Sequence, residues 1–155
     1  MMGKEEFTVI NAEGLILGRM ASIVAKRLLN GERIIIVNAE NAIISGSRGN
    51  IIAEQKRTLQ LGGAPRHGPI HWRRPDRLVR NTVKGMLPKE RPRGREALRR
   101  LKVYIGIPKE LEGLEKETME EAHVSRLKGR FTTVGEVAKT IGWNPGGKHP
   151  SGSPD

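Results

Sequence analysis

The pattern of apolar and polar positions predicts a strand, a helix and a second strand in the first 38 residues. Residues 7–10 form a short apolar run, and residues 33–38 contain four consecutive aliphatic side chains. A strand of that second type is usually covered on both faces of a parallel sheet. Between the two runs, apolar residues recur with helical spacing at Leu17, Met20, Ala21, Val24 and Leu28. The pattern therefore predicts a βαβ unit and an α/β fold.

Two further helices and a strand are predicted after residue 74. Residues 75–87 form an amphipathic helix that begins at Pro75 and ends before Pro88. A loop at residues 89–95 precedes a helix at 95–102 and a strand at 103–105. The inner face of the first helix consists of Leu78, Val79, Thr82, Val83, Met86 and Leu87. Residues 42–44 are assigned a short extension of the sheet, and a Gly/Ser turn at 45–50 leads into a helix at 51–61.

The charge and residue pattern of the C-terminal third predicts a helical extension and a tail. Residues 110–121 carry six acidic side chains and favour a helix, and residues 126–130 are basic again. Thr133 and Glu136 have capping-box spacing at the start of a short helix that ends at Gly142. Residues 1–142 are therefore predicted to form one domain, with an acidic and then basic helical extension at 107–142. Residues 143–155, rich in Pro, Gly and Ser, are predicted to be a flexible tail.

The charge of the chain is concentrated in one segment, residues 62–102. It holds thirteen Lys or Arg and three acidic residues, a net charge of +10 against +11 for the whole chain. Such a segment favours a polyanion with phosphate oxygens as partner. A solvated face is the weaker interpretation, since such faces usually mix both signs. An anionic membrane surface is weaker still, because no Lys-rich amphipathic helix or lipid anchor accompanies the charge.

The candidate RNA contacts come from an irregular arm at residues 62–72 and from the basic helices and loop after it. The predicted set is Arg66, His67, His71, Trp72, Arg73, Arg74, Arg77, Arg80, Lys84, Lys89, Arg91, Arg93, Arg95, Arg99 and Arg100. Trp72 can equally anchor the base of the arm in the core. Further possible phosphate contacts are Arg19, Ser45, Gly46 and Arg48, although an ordinary helix-capping turn explains the Ser/Gly stretch better.

Catalytic and cofactor motifs are absent from the sequence. There is no cysteine, and Gly68 and Pro69 break the helix that would let His67 and His71 share a metal. Residues 142–149 approach a nucleotide-binding loop, but His149 replaces the hydroxyl that would hold Mg²⁺. We therefore predict no enzyme, cofactor or metal. An RNA-processing enzyme remains the first alternative and a DNA-binding regulator the second.

The segment from Val83 to Gly106 resembles the signature of the L-thirteen family of large-subunit ribosomal proteins. The motifs that support the resemblance are KGMLP, a short basic loop, a Gly–basic pair, and LKVY with Gly106 two residues after its tyrosine. Residues 9–12, 17–22, 38–40 and 45–46 also resemble the family, and the similarity weakens after Gly106. The arm at residues 66–75 is similar to the archaeal and eukaryotic branch.

The resemblance implies more than the residue pattern does. It implies a three-layer α/β/α fold with a mostly parallel central sheet, the basic arm and the C-terminal extension being additions to it. It implies a structural constituent of the large ribosomal subunit that binds ribosomal RNA, supports assembly and lies in the cytoplasm. Its partners would be ribosomal RNA and neighbouring ribosomal proteins, with no membrane and no small-molecule substrate. An RNA-binding factor outside the ribosome is an alternative.

Overall fold

A parallel three-stranded sheet is the centre of the fold. The computed structural model describes residues 7–47, 49–51, 53, 74–88 and 90–143. Strands β1 (Phe7–Asn11), β2 (Arg33–Val37) and β4 (Leu101–Val103) lie in the order β1-β2-β4. All pairs are parallel, with Val9 opposite Ile35 and Ile36 opposite Val103. The predicted α/β class with a mostly parallel sheet is confirmed.

The central strand β2 is buried on both faces, as its consecutive aliphatic residues predict. Ile34 and Ile36 belong to the main core, which the helices cover. Ile35 and Val37 point to the other face, where they pack with Val9 and with Leu111 from a 3-10 turn. Alternation along a pleated strand produces this division. The three-layer arrangement stays a prediction, because the described helices all pack against the main core.

Three helices pack on that main face. Helix α1 (Leu17–Leu29) buries Met20, Ala21, Val24 and Leu28, as the helical spacing predicts. It ends before Gly31, whose positive φ of 100° is a backbone conformation that favours glycine. Helices α2 (Pro75–Gly85) and α3 (Pro92–Arg99) both contact α1 and β4. These contacts fix the two helices that carry the described basic residues 74–88 and 90–102 to the body.

Three boundary predictions around α2 and α3 were wrong. Met86 is 43% exposed rather than inward, because α2 ends at Gly85 and the helical period stops there. Helix α3 begins at Pro92, three residues earlier than predicted, since proline fits the first helical position. Strand β4 accordingly begins at Leu101 rather than at residue 103.

A second, two-stranded sheet was not predicted. Strand β3 (Ile43–Ser45) does not extend the parallel sheet but pairs antiparallel with β5 (Phe131–Thr133). Helix α4 (Val134–Thr140) follows, and the Thr133 hydroxyl accepts a hydrogen bond from the Glu136 amide at 3.2 Å, as the capping box predicts. Val134, Val137, Ala138 and Ile141 are buried, which agrees with the predicted amphipathic helix.

The acidic stretch is not the helix that its composition favours. Residues 109–126 form three short 3-10 turns joined by irregular backbone. Glu117 instead bonds to the side of β1, with its amide donating to Val9 O at 2.8 Å and its carbonyl accepting from Asn11 at 2.9 Å. These strand-like bonds replace helical ones, so tertiary pairing overrides local propensity. The remaining predictions for the arm at 62–72 and the end of the chain lie outside the described residues.

Candidate nucleic-acid interface

Helix α2 has one apolar and one basic face. Val79 and Val83 are fully buried, whereas Arg77 and Lys84 are exposed and Arg80 is half-buried. Asp76 stabilises the start of the helix, since its Oδ1 accepts a hydrogen bond from the Arg77 amide at 2.9 Å. The helix thus separates core packing from a cationic surface, as its sequence pattern predicts.

Helix α3 repeats this division over eight residues. Gly94 and Ala97 are buried, and Arg93, Arg95 and Arg99 are exposed, with Arg91 exposed just before the helix. The close packing depends on Gly94, because a Cβ there would lie 2.0 Å from the carbonyl oxygen of Pro88. Helix α3 is therefore packed by backbone contact against the turn that precedes it, with its basic face exposed.

Arg100 does not face outward with Arg95 and Arg99, so this part of the prediction was wrong. Its Nη2 donates a hydrogen bond to the Leu28 carbonyl oxygen at 2.6 Å, and its buried Nε has no hydrogen-bond partner among the described residues. Leu28 lies in the last turn of α1, where cations are favoured, and its carbonyl oxygen also accepts a hydrogen bond from the Gly31 amide at 3.0 Å. Arg100 thus stabilises the end of α1 and joins it to α3.

A cleft of about 270 Å³ lies where α2, the end of α3 and β4 meet. It is lined by Asp76, Arg77, Arg80, Leu98, Arg99, Leu101, Lys102, Val103 and Tyr104. Lys102 and Tyr104 were not among the predicted site residues. Their position in the sequence could have indicated them, because Lys102 lies in strand β4 and Tyr104 directly after it, and β4 follows the basic helix α3. Lys102 Nζ also lies 5.4 Å from the ring centroid of Phe7.

Two of the cations at this cleft, Arg77 and Arg80, are close enough to repel one another. Burial lowers the pKa of Arg80, and the neighbouring charge of Arg77 lowers that pKa further. Both effects disfavour the charged guanidinium and are relieved by an anion. Asp76, which also lines the cleft, has other partners: its Oδ1 accepts a hydrogen bond from the Arg77 amide and lies 3.4 Å from Arg74 Nε.

The remaining predicted contacts are divided between described and undescribed parts of the chain. Arg74 is half-buried beside Asp76; Arg19 is exposed in the first turn of α1. Ser45 and Gly46 are exposed at the end of β3, with helical backbone beginning at residue 49. Outside the described residues lie Arg48, Arg66, His67, His71, Trp72, Arg73 and Lys89.

The described residues contain neither a cluster of metal-ligating side chains nor a helix that could span a membrane. In those ranges there is no group of three or more His, Cys, Asp or Glu side chains placed to hold a metal ion. Nor does any helix in the same ranges have the length and apolar character needed to cross a bilayer.

The fold and this surface define an α/β protein with its excess cations gathered on two helices and the cleft beside them. Residues 5–110 match the family model described as Ribosomal protein L13. The large ribosomal subunit protein uL13 of Methanopyrus kandleri is 47% identical over 148 residues, covering 93% of this chain and 92% of the relative. The uL13 of Methanosarcina barkeri is 49% identical, covering 87% and 97%, and that of Saccharolobus solfataricus is 44% identical, covering 91% and 96%.

The chain belongs to the ribosomal protein L13 family. The archaeal branch predicted from residues 66–75 agrees with these archaeal relatives. The predicted weakening of the family similarity after Gly106 agrees with a family match that ends at residue 110, while the alignments with the relatives cover 87–93% of the chain. The three relatives are named as ribosomal proteins and not as enzymes, in agreement with the non-enzymatic prediction.

Proposed function

We propose that this protein is a structural constituent of the large ribosomal subunit that binds ribosomal RNA and supports subunit assembly. The observation that carries the proposal is the one-sided placement of exposed cations on α2 and α3 in a member of this family. Its partners would be ribosomal RNA and neighbouring ribosomal proteins, and its location the cytoplasm.

The arrangement of the cations supports binding to phosphates rather than reading of bases. Arg77 and Lys84 on α2 and Arg93, Arg95 and Arg99 on α3 are spread over two short helices. A reader of base sequence would place a few side chains on one helix that enters a groove. Guanidinium groups spread over a rigid body suit the phosphate backbone and shape of folded RNA. The function proposed is neutralisation and positioning of RNA segments that otherwise repel.

The division of each helix supports the same proposal. Buried Val79 and Val83 on α2 and buried Gly94 and Ala97 on α3 fix both helices to the body. The helices that carry the cations are therefore fixed before RNA arrives, so that binding does not have to order their backbone. The arm residues Arg66, His67, His71, Trp72 and Arg73, together with Lys89, are proposed to extend the contact into the RNA.

Sedimentation of tagged protein from a cell lysate tests the proposal. We expect co-migration with the large subunit at low salt that survives a high-salt wash. The double variant Lys84→Gln/Arg93→Gln should be released at lower salt, because two exposed cations of the basic face are removed. The double variant Lys128→Gln/Lys139→Gln, which removes two exposed cations outside the basic segment, is the matched control. Release of the wild-type protein into a free pool at modest salt would overturn the proposal.

A further inference from the structure

We infer that the cleft between α2, the end of α3 and β4 seats one phosphate group of the bound RNA, with Arg80 as its central contact. The inference rests on the proposed function, which names the RNA but no individual phosphate position. It is carried by the residues that line the cleft and by the surroundings of Arg80.

The lining of the cleft is strongly cationic. Arg77, Arg80, Arg99 and Lys102 line it together, and Asp76 is the acidic residue among the lining side chains. The local charge is therefore +3. The volume of about 270 Å³ lies just below the roughly 300–1,000 Å³ of typical small-molecule pockets, which suits a single small group. The cleft thus has the charge and size for one phosphate.

Arg80 is the side chain that most needs an anion there. It is half-buried, and no hydrogen bond or ion pair joins it to any other residue within the described ranges. A partly desolvated guanidinium beside a second guanidinium is unfavourable without a counter-charge. The depressed pKa of Arg80, caused by burial and by Arg77, agrees with this geometry. A phosphate would restore the missing partner through charge-assisted, bidentate bonds.

The uncharged part of the lining limits where the phosphate can lie. Leu98, Leu101, Val103 and Tyr104 provide the remaining walls, and they offer no charge to an anion. The guanidinium groups of Arg80 and Arg99 come from different helices, so a phosphate between them would connect α2 to α3. Exposed cations such as Arg93 lie outside this lining and have no part in the cleft.

Thermal unfolding of the isolated full chain provides the first test. Midpoints are measured in sodium phosphate and in sodium chloride at equal ionic strength and pH. Phosphate raises midpoints generally by exclusion from protein surfaces, so the rise must be compared between variants. We expect Arg80→Met to lose most of the wild-type rise, with at least about tenfold weaker phosphate affinity. Arg93→Met, which removes one charge outside the cleft, should keep the wild-type rise.

The outcomes distinguish phosphate binding in the cleft from non-specific phosphate binding to a basic surface. Equal rises in the wild type, Arg80→Met and Arg93→Met would overturn the inference. Circular dichroism shows whether Arg80→Met is folded, and Arg80→Lys provides a milder variant that keeps the charge and loses the bidentate fork. If Arg80→Met does not fold, a full phosphate rise in Arg80→Lys would equally overturn the inference, and a reduced rise would support it.

A second arm decides between RNA and free phosphate as the source of the anion. The same measurement is repeated on the complex with an isolated large-subunit RNA. We expect the Arg80-dependent rise to disappear, because an RNA phosphate already occupies the cleft. A persisting rise would mean that free phosphate fills it, which overturns the RNA assignment. Failure of sedimentation with a surviving Arg80-dependent rise would refute the proposed function alone.

Discussion

Replacement of Gly94 by alanine should destabilise the protein although alanine is the better helix former. An added Cβ would lie 2.0 Å from the Pro88 carbonyl oxygen and 2.6 Å from its carbonyl carbon. These are backbone atoms, and the Pro88 oxygen also accepts a hydrogen bond from the Arg91 amide at 3.2 Å. The start of α3 and the turn before it must therefore move apart by about 1 Å to reach the shortest Cβ contacts that proteins show.

Two opposing terms set the magnitude. Alanine gains about 1 kcal/mol over glycine inside a helix. Overpacking a tight contact costs about 1–3 kcal/mol, and a backbone obstacle places Gly94 at or above the upper end. We expect a net loss of about 2 kcal/mol in the free energy of unfolding, or a midpoint lower by roughly 4–8 °C for a chain of this size.

Urea unfolding followed by circular dichroism measures the change. Gly18→Ala is the matched control, since Gly18 lies in the first turn of α1, is exposed and has nothing within 4 Å of its added Cβ. That variant should be as stable as the wild type or more stable by up to about 1 kcal/mol. A Gly94→Ala protein at least as stable as the wild type would refute the packing argument.

Three further changes test the body that supports the basic surface. Thr133→Ala should lower the free energy of unfolding by about 1 kcal/mol, because the N-terminal cap of α4 is lost, and Thr133→Ser should largely keep the wild-type stability. Equal urea midpoints for Thr133→Ala and the wild type would contradict this. Arg27 lowers the pKa of Glu32 below its ordinary 4.5, so the stability from this ion pair is present above that pH and lost as pH falls through the folded pKa. Arg27→Met should accordingly flatten the acid-side decline in stability, measured by urea unfolding from pH 7 to pH 3, and an unchanged profile would exclude the pair. Arg100→Met should cost about 1.5 kcal/mol by removing the bond to Leu28; unchanged stability with weaker RNA binding would place Arg100 among the RNA contacts instead.

The elements that sequence predicts well are those whose stability is local. The aliphatic run of β2 and the helical spacing in α1 predict which side chains are buried, because the period of an element determines which residues share a face. Pro75 and Asp76 likewise mark the start of α2 by their own chemistry. The basic faces of α2 and α3 follow from the same periodicity, which is why most of the candidate site could be proposed from sequence.

What sequence did not predict depends on partners distant along the chain. Strand β3 finds its partner β5 nearly ninety residues later, with Ile43 opposite Thr133. The backbone of Glu117 pairs with the side of β1, and this removes residues from a stretch whose composition favours a helix. Neither the alternation of residues nor their charge encodes such a choice of partner.

Arg99 and Arg100 show how the same limit affects the site. The two are adjacent and identical in type, yet Arg99 is exposed at the cleft and Arg100 bonds to Leu28 O. The Arg100 carbonyl also accepts a hydrogen bond from the Ile34 amide at 3.0 Å, so this residue joins α3 to both α1 and β2. With Gly94 packed on Pro88 at the other end, α3 is fixed at its start and at its finish. The helix that carries the exposed arginines is thereby fixed to the body, so that its backbone does not have to be ordered when they bind. Arg100, whose side chain bonds inward, thus helps to fix the helix from which Arg93, Arg95 and Arg99 extend.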